Sequence, residues 1–323
     1  MRAIRFSKTG GPEVLTLENI ELPPLKPGQA RIKHTAIGVN FIDTYHRTGL
    51  YPLPLPSGLG LEAAGIVDAI GDGVTNVRVG ERVGYCSGPV GAYAEMNIVA
   101  ADRLVKIPAS LSDETVAAGL LKGMTVQYLL KRTFPVKGGQ TILFHAAAGG
   151  VGSIASQWAK HLGAHVIGTV GSEEKVALAK SDGCEHVLNT RKDDWSKRVR
   201  ELTGGEGVPV VYDSIGKDTF EGSLNSLAVR GMLVSFGNSS GAVPAFEPGI
   251  LSAKGSLYLT RPTLAHYTRT PKELQETADD LFSVIASGAV KIAIHQRFKL
   301  AEARQAHEAL HSRNTTGATI LIP

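Results

Sequence analysis

The chain has 323 residues, 43% of them hydrophobic and 20% charged, which is enough for two domains with buried cores. Its formal net charge of +4 permits attraction to anions, but no basic run is dense enough to predict nucleic-acid binding. Two cysteines, Cys86 and Cys184, cannot build a disulfide framework or a cysteine-rich zinc site, and no apolar run approaches membrane-spanning length, so a cytoplasmic protein without a membrane span is expected.

Residues 1 to about 110 read as β-rich. "RAIRFS", "QARIKHTAIGV", "EAAGIVDAIG" and "ERVGYC" are short β-prone runs, and turn signals such as "KTGGP" and "GDGVTNVRVG" separate them. The pattern predicts an irregular, mostly antiparallel arrangement. Within it, "GVNFIDTYHRTGLYP" at 38–52 crowds Asn40, Asp43, Tyr45, His46 and Arg47 into eight positions. That density suits a catalytic surface, a metal site or the wet side of a helix.

The texture changes near Ser112. "SDETVAAGLLKGMTVQYLLKRT" opens on Ser112 with acids in its first turn and then turns apolar, as a capped helix does. A strict alternation follows: strand "TILFHA", helix "VGSIASQWAKHLG", strand "HVIGTV", helix "EEKVALAKSDG", strand "HVLN", a helix at 193–202, strand "VPVVYDSIG", a helix, and strand "GMLVSFGNSSG". Strands alternating with helices imply a doubly wound parallel sheet, the α/β Rossmann class. The last sixty residues predict helices in "PKELQETADDLFSVIASG" and "AEARQAHEALHS" and a closing strand, "GATILIP".

The loop Ala146 to Gly152 reads A-x-x-G-x-x-G between a strand and a helix, inside a βαβ unit at 141–170. A pyrophosphate must reach backbone N–H groups at the helix N-terminus, where a side chain would block it. Gly149, Gly150 and Val151 suit that approach, and Gly152 allows close helix–strand packing. The second strand ends in Thr169, Val170, Gly171 and Ser172, with no carboxylate at its tip and with Lys175 close behind. An acid there favours NAD. Its absence, with a small-residue turn and a lysine, predicts NADP(H), although Glu173 and Glu174 weaken the electrostatic case.

The stretches "AIGVNFIDTYHRTGLYP", "GLGLEAAGIV", "LKGMTVQYLL", "FHAAAGGVG", "VVYDSIG", "VSFGNSSG" and "GSLYLTRP" run through nearly the whole chain. On them the sequence resembles the medium-chain dehydrogenase/reductase superfamily, and within it the zinc-free quinone oxidoreductase, or zeta-crystallin, family. The resemblance implies a β-rich GroES-like catalytic domain at 1–122 plus 262–323 and a Rossmann NADP-binding domain at 123–261. It implies reduction of a quinone by NADPH in the interdomain cleft, without zinc and without flavin. Zinc-dependent relatives place Cys and His where this chain has Asn40 and Leu61, and leucine cannot ligate a metal.

The same resemblance sets Asn40 and Tyr45 beside the nicotinamide as candidate catalytic residues, whether they orient the cofactor or touch the substrate. Phe41, Thr125, Thr190, Ser214, Phe236, Gly237, Asn238, Arg261 and Arg313 join Gly149, Gly150, Val151, Gly171, Ser172 and Lys175 as cofactor contacts. At Thr190 some relatives carry a residue that stacks on the adenosine, which threonine cannot do. His46 and Arg47 are read as a solvated helix face, Asp43 as a local hydrogen-bond acceptor, and Cys86 as a small buried hydrophobe. A homodimer through the Rossmann domains is expected, with "GSLYLT" as the pairing edge. Two other readings stay open: an enone or alkenal reductase on the same scaffold, and a non-catalytic NADPH-binding sensor or RNA-binding, crystallin-like protein.

Overall fold

The computed structural model describes residues 1–312 and 315–323. Arg313, one of the expected cofactor contacts, lies outside the described residues. The chain opens with strands β1 (Arg2–Phe6), β2 (Thr16–Asn19) and β3 (Gln29–Val39), then helix α1 (Phe41–Thr48). Strands β4 (Ser57–Gly58), β5 (Glu62–Ile70), β6 (Arg82–Tyr85), β7 (Met96–Ala100) and β8 (Val105–Lys106) follow, and helix α2 (Asp113–Tyr128) ends the β-rich stretch. The alternating portion runs β9 (Thr141–Phe144), α3 (Gly150–His161), β10 (His165–Val170), α4 (Glu174–Ser181), β11 (His186–Asn189), α5 (Trp195–Leu202), β12 (Val208–Asp213), α6 (Phe220–Ser226), β13 (Leu227–Ser235), α7 (Gly249–Ala253), β14 (Tyr258–Thr260) and α8 (Leu264–Tyr267). Helix α9 (Pro271–Ala286), strand β15 (Ile294–Lys299), helix α10 (Ala303–His311) and strand β16 (Ala318–Ile322) close the chain.

The fold divides into two compact units. One comprises Met1–Lys122, Thr268–Ala286 and Ile292–Pro323, and the other Gly123–Tyr267 with Ser287–Lys291. Residues 262–267, read from sequence as part of the returning catalytic domain, belong to the second unit. The cause is local. Tyr267 stacks on Tyr128 with ring centroids 4.4 Å apart, its carbonyl accepts a hydrogen bond from Arg132, and its hydroxyl accepts one from Thr133 Oγ1 at 2.8 Å.

In the first unit, β15-β16-β3-β5-β6-β8 form one sheet to which β7 adds against β3, and β2-β1-β4 form a smaller one. All these pairs are antiparallel except β15–β16. Along β3 burial alternates as far as Thr35 and then becomes continuous from Ala36 to Val39. The strand thus dives from a half-wet face into the core and delivers Asn40 there. Ile32, Ile37, Leu59, Val83, Tyr85, Tyr93 and Leu321 form that core. Cys86 is buried, as expected of a small hydrophobe.

The second unit holds a six-stranded sheet in the order β11-β10-β9-β12-β13-β14, every neighbouring pair parallel. Helices cover such a sheet on both faces, so its strands bury nearly every residue, as β10 does from Val166 to Val170. Strand order reverses between β9 and β12. Crevices at such a reversal, beyond the carboxyl ends of the strands, are where doubly wound sheets bind ligands. Among the described residues no helix is long and apolar enough to cross a membrane.

Candidate active site

Helix α1 is held at both ends. The Asp43 carboxylate reaches back so that its Oδ2 accepts from the Asn40 backbone N–H at 2.8 Å, and Gly49, at φ 83°, ends the helix in the left-handed conformation that glycine adopts freely. Asp43, Thr44, Tyr45, His46 and Arg47 are all buried. The solvated-face reading of His46 and Arg47 is therefore corrected. Arg47 keeps only 1% exposure because distant segments close over it: its Nε donates to Gly10 O at 3.2 Å and its guanidinium donates to His307 Nδ1 at 3.0 Å. Burial lowers the pKa of His46, and its Nδ1 has no hydrogen-bond partner among the described residues.

The direction of hydrogen bonding beneath α1 is fixed by chemistry. Arginine only donates, so His307 Nδ1 accepts and its Nε2 carries the proton. That Nε2–H faces the Tyr93 hydroxyl at 3.1 Å, and Tyr93 donates in turn to Asp43 Oδ2 at 2.9 Å. The run Arg47, His307, Tyr93, Asp43 ends on the same oxygen that caps Asn40. Burial and then the adjacent Arg47 charge push His307 down to about 3, which keeps it neutral. Burial pushes Asp43 up to about 7 against the opposing pull of its hydrogen bonds. Asp43 is thus the acceptor the sequence suggested.

Asn40 has a second anchor. Its Nδ2 donates to Glu62 Oε2 at 2.7 Å, and Glu62 Oε1 accepts from the Leu121 backbone N–H at 2.6 Å. Lys122 Nζ stands 3.6 Å from Glu62 Oε2 and donates to Val39 O at 3.2 Å. Glu62 is fully buried, and Gly38 admits it: a Cβ there would fall 2.3 Å from Glu62 Oε2 and 2.2 Å from Ala117 O. Tyr45 is buried with its ring edge-on to Phe41 and Tyr51, at centroid distances of 5.6 and 5.1 Å.

In the second unit the expected cofactor residues gather along one margin. Gly149 is the N-cap of α3, and Gly150 and Val151 open its first turn, where N–H groups have no partner within the helix. A Cβ on Gly152 would sit 2.2 Å from Ala146 O, so only glycine lets α3 approach the loop. Ala146 itself takes the left-handed conformation, at φ 53°. At the end of β10, Gly171 is open, with nothing within 4 Å of the place a Cβ would occupy. Ser172 and Lys175 follow, half-buried.

Parallel pairing of Val170 with Asn189 brings Thr190 beside that turn, and the Thr190 N–H donates to Val170 O at 2.9 Å. The next residue, Arg191, is near enough for its charge to add to burial in lowering the pKa of Lys175. Glu173, the acid that clouded the reading, is drawn aside: its Oε2 accepts from Lys192 Nζ at 3.1 Å and lies 3.4 Å from Asn189 Nδ2.

Strands β12, β13 and β14 contribute their tips too. Phe236 N–H donates to Asp213 O at 2.8 Å, and Gly237 packs so closely on Ser214 that a Cβ would meet Ser214 O at 2.5 Å. Asn238 follows on the same loop, and Arg261, just past β14, donates to Ser235 O at 3.0 Å. Thr125, half-buried, lies on α2.

Two family descriptions match: "Alcohol dehydrogenase GroES-like domain" over residues 26–109 and "Zinc-binding dehydrogenase" over 150–283. A quinone oxidoreductase of Pseudomonas aeruginosa is 53% identical over 323 residues, covering 100% of this chain and 99% of the relative. The chain belongs to the quinone oxidoreductase family of the medium-chain dehydrogenase/reductases. A solved structure of the Escherichia coli quinone oxidoreductase complexed with NADPH superposes with a TM-score of 0.97 at 51% identity, covering 100% of both chains. The family also reaches a 2-haloacrylate reductase of a Burkholderia species, 47% identical over 98% of this chain and 97% of that one.

The zinc in one of those descriptions does not fit the residues present. The Asn40 side chain is engaged by Glu62, its neighbour Leu61 offers no donor, and the Lys122 ammonium beside Glu62 would repel a cation. Among the described residues no group of three or more His, Cys, Asp or Glu could hold a metal ion.

Sequence reading missed Glu62, Lys122, Tyr93, His307 and Arg191. Glu62 directly follows Leu61, and no local pattern marks a carboxylate there as buried. Arg191 stands two residues past β11, the strand that pairs with β10, a place that sequence order alone supplies.

Proposed function

We propose that the chain is an NADPH-dependent quinone reductase that works without zinc. The observation that carries the cofactor assignment is the margin past β10 and β11, where Arg191 is near enough for its charge to act on Lys175, Gly171 is open and no carboxylate ends the strand. Two cations suit a dianionic 2′-phosphate.

When bound, NADPH supplies the reducing equivalents. The N–H groups of Gly149, Gly150 and Val151 at the start of α3 cradle the pyrophosphate. Gly171, Ser172, Lys175, Thr190 and Arg191 enclose the 2′-phosphate end. Ser214, Phe236, Gly237, Asn238, Arg261 and Thr125 line the remainder. Asn40, Phe41 and Tyr45 address the nicotinamide and the acceptor. With no Lewis acid, the acceptor must already be electrophilic, as a quinone is. Full-length similarity to quinone oxidoreductases supports that choice. The reading includes a cytoplasmic homodimer paired through β14, whose edge exposes Tyr258 at 58% and Leu259.

Similarity to the 2-haloacrylate reductase favours a second reading, reduction of an activated C=C bond. The test is one panel: NADPH oxidation with 1,4-benzoquinone, a naphthoquinone, a short enone and 2-chloroacrylate. Faster turnover on the quinones supports the proposal. Turnover confined to the alkenes replaces it with the second reading.

A further inference from the structure

Glu62 is a buried carboxylate that the reaction does not consume, and its partners are unusually well specified. One oxygen accepts from a backbone N–H, that of Leu121, and the other accepts from Asn40 Nδ2 beside the Lys122 ammonium. All three neighbours are donors and a carboxylate only accepts, so the Asn40 amide has one orientation, nitrogen toward Glu62. Without Glu62 only the contact of the Asn40 side chain with the Asp43 backbone N–H, the other half of the helix cap, opposes exchange of the amide's two ends.

We propose that Glu62, beside the Lys122 ammonium, is a positioning residue that fixes which end of the Asn40 amide the site presents. This rests on the reading that Asn40 addresses the cofactor or substrate. Glutamine at 62 reverses the arrangement. Its oxygen stays on the Leu121 N–H, which cannot turn. Its NH2 then faces Asn40, and Asn40 relieves the conflict by flipping. Removing Lys122 acts through the same bond. A protonated Glu62 donates where it used to accept, so the amide turns as pH falls; burial moves that turn upward in pH and the Lys122 charge opposes the move. The other titratable groups around Glu62 are Asp43, Cys86 and Tyr93, each of which feels its charge.

The experiment compares Asn40→Ala, Glu62→Gln and Lys122→Met with the parent protein. It reads kcat/KM against pH with 1,4-benzoquinone, NADPH affinity by fluorescence titration, thermal unfolding, and the side-chain 15N–1H signals of Asn40. Glu62→Gln is expected to lower kcat/KM about tenfold, the size of one lost oriented hydrogen bond. It also shifts the Asn40 amide signals. Lys122→Met is expected to move the rise in kcat/KM to higher pH than in the parent. If Asn40→Ala is impaired but Glu62→Gln matches the parent, the positioning role is wrong. If Asn40→Ala itself matches the parent, the reading beneath it is wrong as well. Should Glu62→Gln fail to fold, a pH profile in Lys122→Met that matches the parent's overturns the proposal.

Discussion

Arg47 and His307, 260 positions apart, are joined by a 3.0 Å hydrogen bond inside the first unit. The bond fixes the tautomer of His307 and orders the run through Tyr93 to Asp43, which caps the helix that carries Tyr45. Tyr93→Phe removes the donor to Asp43 and leaves His307 Nε2–H facing a ring. Denaturant unfolding should show a loss of about 1–3 kcal/mol, the usual cost of buried groups left without partners. Unchanged stability would mean that the run is not formed.

Asp43 gives that run a pH signature. Its carboxyl rises from 3.8 to about 7, chiefly by burial, so between those values the folded state holds a proton that the unfolded state has released. Stability from this group therefore falls as pH rises from about 4 to 7 and is level above. Asn at 43 still accepts from the Asn40 N–H and Tyr93 and escapes the penalty. Relative to the parent, Asp43→Asn should be more favourable at pH 8 than at pH 5 by on the order of 2 kcal/mol. A pH-independent difference would place the Asp43 pKa elsewhere.

Lys175→Ala should weaken NADPH binding by about 1–2 kcal/mol, as for a lost charge-assisted contact, and hardly change NADH. Arg191→Ala should act in the same direction. Equal losses for the two cofactors, measured by fluorescence titration, would remove these residues from the 2′-phosphate.

Gly152→Ala sets a methyl against Ala146 O where a Cβ has only 2.2 Å. Because backbone must move, a destabilisation of about 1–3 kcal/mol is expected, with NADPH affinity lowered in the protein that folds. Gly171→Ala, in open space, is the control and should leave stability unchanged.

Tyr45→Phe separates two roles. Direct contact with the acceptor predicts slower turnover with NADPH affinity retained. A purely cofactor-orienting role predicts the reverse.

The second unit was largely legible because its elements follow from local pattern. "HVIGTV" is β10 residue for residue, and "VGSIASQWAKHLG" falls on α3. Strand β13 starts at Leu227, before the expected "GMLVSFGNSSG", because Arg230 in the left-handed conformation and Gly231 break its register and masked its first half. Strand β15, "IHQRFK", carries Gln, Arg and Lys and alternates between half-buried and exposed, so its pattern was too polar to stand out. The first unit's site was harder to read. Arg47 looks like a solvated residue until His307 and Gly10 come over it, and no local pattern reports partners so far away. The glycine loop could be read because its chemistry sits in seven consecutive residues. The Glu62, Asn40 and Lys122 cluster could not, because three separate elements build it.

The measurement that tests the account most directly is steady-state oxidation of NADPH and of NADH by the chelator-treated protein, with 1,4-benzoquinone as acceptor. The account predicts NADPH-selective turnover that survives chelation and loses its selectivity in Lys175→Ala. Turnover abolished by chelation, or a preference for NADH, would contradict it.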